Sequence, residues 1–217
     1  MPDPQNSHSV SPVRAVILDY GDVISQSPEP IAIAAMAKVF SLPVDRFLEL
    51  YAAARHGYDR GDVDANEYWA HIAQAAGVEL SELQLTELRK TDVAMWSNVR
   101  PAILRWVERL RTSGLKTAVL SNMHDDMVQH VRSDSTWTTR FNCLTLSSAI
   151  GMAKPEPQIF SHCLECLQVS PDEALFVDDR TSNVQAAQAL GIRGVVANSL
   201  AELRKQLDAI GFAPLPE

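Results

Sequence analysis

This chain is organised around one stretch, Ala15-Val16-Ile17-Leu18-Asp19-Tyr20-Gly21-Asp22-Val23-Ile24. It begins with four apolar residues, continues with a carboxylate, and then turns at a glycine. A short apolar run bounded by turn residues is typical of a buried strand. In open α/β sheets, ligands bind beyond the carboxyl ends of the strands, so Asp19 is a candidate catalytic group. The alternative is that Asp19 only stabilises a turn, which is a common position for aspartate.

The composition is typical of a folded globular protein. The chain has 217 residues, of which 46% are hydrophobic and 21% charged, and this length fits one large or two small domains. The net charge of −8 argues against non-specific nucleic-acid binding. No apolar run approaches the roughly 20 residues that a membrane-spanning helix needs. Residues 1–11 are polar and lack the features of a signal peptide, so we expect a flexible tail on a cytoplasmic protein.

The chain contains three cysteines, Cys143, Cys163 and Cys166. An odd number suits free thiols in a reducing cytoplasm better than a disulfide framework. Cys163 and Cys166 fall on the apolar face of a predicted helix beside His162, without a second pair of metal ligands nearby. This pattern favours buried core cysteines over a metal site.

Helical patterns without a convincing strand follow the opening stretch. They lie at residues 31–40, 44–54, 65–76 and 81–94, with a polar loop at 56–64 between the second and the third. Strands then alternate with helices to the end of the chain, which predicts a parallel sheet covered on both faces. We therefore predict an α/β core, with a small helical domain inserted after the first strand. The predicted units are a tail at 1–11, a helical cap at 25–95, and a core formed by 12–24 and 96–217.

Three predicted strands end in reactive polar residues. Asp19 follows the first strand, Ser121-Asn122 follow another, and Asp178-Asp179 follow a third. Lys154 lies in a loop just before a helix. Because parallel strands share one carboxyl edge, we expect these groups to converge there.

The chemistry of these groups points to phosphate and a metal ion. Three carboxylates that lie close together repel one another unless a cation offsets them. Oxygen ligands without histidine or cysteine favour Mg²⁺. The hydroxyl of Ser121 and the amide of Asn122 can donate to phosphate oxygens, and Lys154 supplies a positive charge. An aspartate nucleophile is a known route for phosphoryl transfer.

The order and spacing of these residues resemble the four motifs of the haloacid dehalogenase (HAD) superfamily of hydrolases. The segment Val177-Asp178-Asp179-Arg180-x-x-Asn183 resembles the fourth motif, and Gly151-x-x-Lys154-Pro155-Glu156-Pro157 resembles the third. The resemblance covers nearly the whole chain from Val13 onward. It implies a Rossmann-like core, with the helical block at the place where the family inserts a cap.

The resemblance also implies a role for each site residue. The implied magnesium ligands are Asp19, the backbone carbonyl of Gly21, Asp178 and Asp179. Asp19 would also attack phosphorus, and Lys154 would offset the charge on Asp19 and the phosphate. Ser121 and Asn122, with Lys154, would bind the phosphoryl group.

One position departs from the pattern of most phosphatases of the superfamily. They carry a general acid two residues after the nucleophile, where this chain has Gly21. A minority branch of the superfamily also has glycine there. This branch includes bacterial sugar-phosphate phosphatases that resemble the α-glucose-1-phosphate phosphatase, and relatives of the N-terminal domain of epoxide hydrolase. Loss of a general acid typically lowers the rate by about 10²- to 10⁴-fold. Asp22 could substitute or could serve only as a turn residue, and His124 is a weaker substitute that we expect in a solvated loop.

The predicted cap would set substrate specificity. Its polar and aromatic residues cluster around the central loop and the third helix: Arg55, His56, Tyr58, Arg60, Tyr68 and Trp69. We expect Tyr68 and Trp69 to form the core of the cap, and Arg55 and Arg60 to be solvated rather than to reach a substrate.

The sequence thus predicts a Mg²⁺-dependent phosphatase for small, sugar-phosphate-like metabolites that uses an aspartyl-phosphate intermediate. We expect a monomer or homodimer that binds neither nucleic acid nor membranes. One alternative is a metal-independent 2-haloacid dehalogenase, although the Asp178-Asp179 pair argues for metal and phosphate. The other is a weakly active or inactive relative with a binding role, which the glycine at position 21 motivates.

Overall fold

The computed structural model describes residues 12–217, and a five-stranded parallel sheet lies at its centre. The strands are β1 (Ala15–Leu18), β2 (Lys116–Ser121), β3 (Cys143–Leu146), β4 (Ala174–Asp178) and β5 (Arg193–Val196). Their order is β3-β2-β1-β4-β5, so the strand of the opening stretch lies in the middle. The predicted α/β fold with a parallel sheet is confirmed, while the predicted tail lies outside the described residues.

The two faces of the sheet are covered by different helices. These are α6 (Pro101–Thr112), α7 (Asp125–Ser133), α10 (Pro157–Leu167), α11 (Thr181–Ala189) and α12 (Leu200–Ala209). Because side chains alternate along a strand, Val16 and Leu18 pack with α6, α7 and α12. Ala15 and Ile17 pack with α10 and α11. All four side chains of β1 are fully buried, and Asp19, directly after the strand, is the next side chain with any exposure, at 7%.

Five α-helices lie between β1 and α6, after a π-helical turn at Tyr20–Ile24. They are α1 (Pro30–Val39), α2 (Val44–Ala53), α3 (Arg55–Arg60), α4 (Ala65–Ala76) and α5 (Glu82–Trp96). These helices share a hydrophobic core of their own, in which Tyr68 and Trp69 are buried as predicted. Among the described residues, no helix is long and apolar enough to cross a membrane.

The two connections between the five helices and the sheet run side by side. Ser25 and Val99 form an antiparallel bridge. The backbone N–H of Gln26 donates to the Asn98 carbonyl at 2.8 Å. This arrangement is consistent with an inserted cap at 25–95, and the independence of that cap as a domain remains a prediction.

Part of the predicted polar loop at 56–64 is helical. It contains most of α3, which ends at Gly61 with a φ of +87°. A Cβ at Gly61 would lie 3.1 Å from the carbonyl oxygen of Ser148, in the short helix α9 (Ser147–Ile150). Glycine therefore permits both the left-handed backbone and the close approach of α3 to the core. Another short helix that the sequence pattern did not predict is α8 (Ser135–Thr138).

The expectation of three free thiols is wrong. Cys143 on β3 and Cys166 on α10 form a disulfide, and Cys163 is a buried free thiol. The two paired residues are 23 positions apart in the sequence and meet because α10 packs against β3. Contact between a strand and a helix that follows it cannot be deduced from cysteine spacing alone.

Candidate active site

The carboxyl edge of the sheet brings the strand-end residues together, as their positions predicted. Asp19 follows β1, Ser121 is the last residue of β2, and Asp178 is the last residue of β4. They lie at or just below a cavity of about 350 Å³ between the sheet edge and the helices α2 and α3. The predicted site residues in its wall are Asp19, Gly21, Ser121, Asn122, Lys154 and Asp179.

Lys154 is the cation at the centre of this site. Its side chain is almost completely buried, and its Nζ lies 2.7 Å from Asp19 Oδ1 and 2.7 Å from Asp178 Oδ2. Burial lowers the pKa of Lys154, but the two carboxylates outweigh burial and hold this pKa above its usual value. The lysine therefore stays charged and fixes both aspartates.

Asp19 is oriented by two donors that reach the same oxygen. Its Oδ1 accepts from the backbone N–H of Tyr20 at 2.7 Å and from Lys154 Nζ. Neither bond uses Oδ2, which leaves that oxygen for a reacting atom or a cation. Burial and repulsion by Asp178 and Asp179 raise the pKa of Asp19 to about 7, although Lys154 opposes the rise. The ionised form of Asp19 thus needs more positive charge than Lys154 alone supplies.

The donor set fits a magnesium ion. Asp19, Asp178 and Asp179 each offer a carboxylate oxygen, and these oxygens lie within 4.8 Å of one another. Burial, followed by the neighbouring Asp178, raises the pKa of the half-buried Asp179. Crowded carboxylates bind a hard divalent cation, because the cation removes their mutual repulsion.

The two acidic residues after β4 differ in what they already contact. Asp178 Oδ1 accepts from the Arg180 N–H at 2.8 Å and from Asn183 Nδ2 at 3.0 Å. Its Oδ2 accepts from Lys154 Nζ. Both oxygens of Asp178 are thus engaged within the described residues, whereas Asp179 faces the cavity. Asp178 therefore holds Lys154 in place, and Asp179 keeps its carboxylate at the cavity.

Asn122 has a different contact from the predicted one. Its Nδ2 donates to the Lys154 carbonyl at 2.8 Å, and its Oδ1 accepts from the Lys154 N–H at 2.7 Å. This reciprocal pair uses the side-chain amide to hold the backbone of Lys154. The side-chain amide of Asn122 is therefore already occupied, whereas Ser121 lines the cavity and its hydroxyl makes only a long contact of 3.5 Å, with the Asn122 carbonyl oxygen.

The turn after Asp19 contains Gly21 and Asp22. Gly21 lines the cavity, and its backbone is extended, with a φ of −61° and a ψ of 133°. Asp22 has a positive φ of 57°, and its Oδ1 accepts from the Ser27 hydroxyl. This bond favours the turn role of Asp22 over the role of a substitute general acid.

The expectation of a solvated His124 is wrong. The residue precedes α7 and is fully buried, and its ring stacks on Tyr58 with 4.5 Å between the ring centroids. Its Nε2 lies 3.3 Å from Asp92 Oδ2 on α5. Burial lowers the pKa of His124. The loop pattern gave no sign that helices α3 and α5 would cover this position.

The predicted specificity residues fall into two groups. Arg55 and His56 line the cavity. Arg60 does not, because its Nε donates to Glu156 at 2.8 Å, next to the loop that carries Lys154. The prediction that both arginines are solvated is thus wrong for Arg55, whose side chain is only 17% exposed.

Sequence reasoning missed three polar residues near the cavity, Tyr51, Asp59 and Asp92. Tyr51 and Asp59 line the cavity, and Asp92 is fully buried beside them. A signal was present for Asp92, which stands four residues after the buried Leu88 on the apolar face of α5. A carboxylate on such a face needs a buried partner.

The profile of the haloacid dehalogenase-like hydrolase family matches residues 8–191. The chain belongs to this family. The match includes all four motif positions, from Asp19 to Asp179.

Relatives of this HAD-like hydrolase include proteins of very different lengths. It is 27% identical over 221 residues to acyl-CoA dehydrogenase family member 10 of Mus musculus, covering 93% of this chain and 19% of that protein. It is 26% identical over 206 residues to D-ribitol-5-phosphate phosphatase of Bacteroides thetaiotaomicron, covering 91% of this chain and 98% of that protein. The chain thus spans about a fifth of the mouse protein and nearly all of the bacterial phosphatase.

A solved structure shares the fold of this HAD-like hydrolase. It is a HAD family enzyme from Bacteroides thetaiotaomicron, in its wild-type form, in complex with magnesium and inorganic phosphate. The TM-score is 0.68 with 23% sequence identity, and the match covers 85% of this chain and 93% of that chain. At this identity the likeness establishes the shared fold.

Proposed function

We propose that this protein is a Mg²⁺-dependent phosphatase for small, sugar-phosphate-like metabolites. The observation that carries the proposal is the position of Lys154 between Asp19 and Asp178, with Asp179 beside them at the cavity. A charge-neutralised aspartate next to a cation site is suited to phosphoryl transfer, in which positioning and charge neutralisation supply most of the rate. The full-length bacterial relative named for ribitol 5-phosphate supports the substrate class.

In the proposed mechanism, Asp19 Oδ2 attacks the phosphorus atom and forms an aspartyl phosphate, while the bond from phosphorus to the ester oxygen breaks and that oxygen takes a proton from water. Asp19 is held for this attack by the Tyr20 N–H and by Lys154. The Ser121 hydroxyl and the Asn122 backbone N–H bind phosphoryl oxygens. Water then hydrolyses the acyl phosphate and restores the carboxylate.

A bound Mg²⁺ would neutralise charge on the phosphoryl oxygens and on the nucleophile. Asp19, Asp179 and the carbonyl oxygen of Gly21 would hold it, with Asp178 in a supporting position. The relative crystallised with magnesium and inorganic phosphate supports this choice of ion.

Because residue 21 is glycine, it has no acidic side chain that could protonate the leaving-group oxygen. The bond from Ser27 to Asp22 makes Asp22 a weak substitute. Among esters that fit the cavity equally well, the proposed enzyme therefore hydrolyses those with better leaving groups faster, since these depart with little help from an acid.

Two alternatives stay open to test. A metal-independent 2-haloacid dehalogenase would make no use of the three-carboxylate cluster, which therefore favours the phosphatase. A binding protein without turnover is motivated by Gly21. A cytoplasmic location and a monomeric or homodimeric state also remain predictions, and the Cys143–Cys166 disulfide removes the support that free thiols gave to the former.

The test is phosphate release from a panel of phosphorylated sugars, polyols and nucleotides, with Mg²⁺ and with a chelator. We expect release that depends on Mg²⁺ and that Asp19→Asn abolishes. Asp22→Asn is the matched control, because it removes a nearby carboxylate outside the metal cluster and should reduce the rate far less. Halide release from a 2-haloacid in the chelator would support the dehalogenase, and binding without any turnover would support the binding protein.

A further inference from the structure

The wall of the cavity that α2 and α3 form holds one arginine in a fixed position. Arg55 Nε donates to Asp59 Oδ1 at 2.8 Å, and Nη1 donates to Asp92 Oδ2 at 3.0 Å and to the Tyr51 hydroxyl. The rings of Tyr51, Tyr58 and Tyr68 surround the guanidinium, with centroids 4.8, 5.4 and 5.8 Å from its Cζ. The guanidinium is therefore fixed in its orientation before any ligand binds.

Arg55 forms part of the cavity wall. None of the hydrogen bonds above uses Nη2, and Arg55 keeps part of its surface exposed at the cavity wall. Asp59 also lines the cavity, and only its Oδ1 accepts from Arg55. The wall thus presents a donor and an acceptor side by side, which is the arrangement that neighbouring hydroxyl groups require.

The negative charge around Arg55 exceeds the positive charge of its guanidinium. Asp59 and Asp92 contribute two negative charges against one positive charge. Burial raises the pKa of Asp59, while the ion pair with Arg55 opposes that rise. His124 faces Asp92, and burial favours its neutral form. A second anion placed against this wall would meet a negative rather than a positive cluster.

We propose that this wall selects a neutral leaving group that carries several hydroxyl groups. Arg55 Nη2 donates to one hydroxyl oxygen, and Asp59 accepts from a neighbouring hydroxyl. The negative balance of the cluster rejects leaving groups with a carboxylate or a second phosphate. This inference rests on the proposed phosphatase function, and it goes further by assigning the residues that choose the leaving group and the rule by which they choose.

The test uses three esters with five-carbon leaving groups: ribitol 5-phosphate, n-pentyl phosphate and ribulose 1,5-bisphosphate. For the wild type, we expect kcat/KM for ribitol 5-phosphate to exceed kcat/KM for each of the other two esters by about tenfold or more. A hydrogen bond to a charged group contributes about 1.5–3 kcal/mol, which corresponds to at least a tenfold change. Arg55→Gln should lower kcat/KM for ribitol 5-phosphate by about 10- to 100-fold and leave n-pentyl phosphate unaffected. Asp59→Asn should raise the relative rate with the bisphosphate.

Arg60→Gln is the matched control. Arg60 lies on the same helix as Arg55 and pairs with Glu156 of the core, but it does not line the cavity. We expect it to change the three esters by equal factors. If Arg55→Gln also changes all three equally, Arg55 is a structural residue and the inference is wrong. A wild-type preference for the bisphosphate would overturn it as well.

A binding measurement separates this inference from the proposed function. Asp19→Asn protein, with and without Arg55→Gln, is titrated with ribitol 5-phosphate in a calorimeter. Suppose that Arg55→Gln weakens binding at least tenfold and that the wild type releases no phosphate. This result would support the inference and refute the phosphatase. If the wild type releases phosphate but Arg55→Gln does not change the binding affinity, the phosphatase is supported and the inference is refuted. The absence of both turnover and binding would refute both.

Discussion

The reciprocal hydrogen bonds between Asn122 and Lys154 give the sharpest test of how this site is built. We predict that Asn122→Ala lowers both the stability and the activity of the protein. The substitution removes two bonds of 2.8 and 2.7 Å and leaves the N–H and C=O of Lys154 without those partners. A typical intramolecular hydrogen bond contributes about 1 kcal/mol, and an unsatisfied buried group costs about 1–3 kcal/mol. The free energy of unfolding should therefore fall by about 2–4 kcal/mol.

The effect on activity follows from what the bonds position. Lys154 Nζ lies 2.7 Å from Asp19 Oδ1, and a displacement of about 1 Å in a catalytic group can lower the rate by about 100-fold. We expect kcat for the best phosphate ester to fall by about 10- to 100-fold, with a smaller change in KM. The assays are chemical denaturation for stability and phosphate release with saturating Mg²⁺ for kcat.

Asn142→Ala is the matched control. Asn142 Oδ1 accepts from the Thr117 N–H at 2.9 Å, so this amide also holds a backbone group, but near the opposite end of β2. The control should lower stability by about 1 kcal/mol and leave kcat unchanged. If Asn122→Ala loses stability but keeps the wild-type kcat, the amide does not position Lys154 for catalysis, and the reasoning is refuted.

Three further predictions concern the fold. Burial holds the pKa of His124 below its usual value, so the unfolded state binds more protons below about pH 6.5. The free energy of unfolding should fall as the pH is lowered from there. In denaturation series at several pH values, His124→Phe should show a smaller slope of this free energy against pH. Equal slopes for the variant and the wild type would contradict the prediction. Replacing Cys143 and Cys166 with serine should lower stability by about 3 kcal/mol, by chain entropy over a separation of 23 residues, and an unchanged denaturation midpoint would argue against the disulfide. Gly194→Ala places a Cβ 2.5 Å from Val184 Cγ1, so we expect calorimetry to show a loss of about 1–3 kcal/mol, and an unchanged melting temperature would mean that α11 moves freely.

Much of the site could be predicted because it depends on strand ends. A buried parallel strand fixes where its last side chain emerges, so Asp19, Ser121 and Asp178 converge once the sheet forms. The position of Lys154 was indicated by the motif around it rather than by periodicity. What the strand pattern could not indicate is which oxygen each group contacts, and hence the different tasks of Asp178 and Asp179.

The residues whose positions were predicted wrongly lie where the helices α1–α5 meet the core. His124 and Arg55 are each followed by a polar residue in the sequence, and their burial comes from elements distant along the chain. Asp92, on α5, is in contact with both. Local patterns report the amphipathicity of one element and contain no information on which second element covers it. The same limit applies to the pairing of Cys143 with Cys166.

The disulfide gives the middle of this protein a closed covalent ring. The segment from Cys143 to Cys166 is cyclised, and it contains both Lys154 and Ser147, whose hydroxyl accepts from the Met123 N–H. A protease cut anywhere within this ring opens a macrocycle instead of dividing the chain. A nicked molecule should therefore migrate as one species until a reductant is added, and Lys154 should stay covalently attached to the sheet whichever side of the cut it lies on.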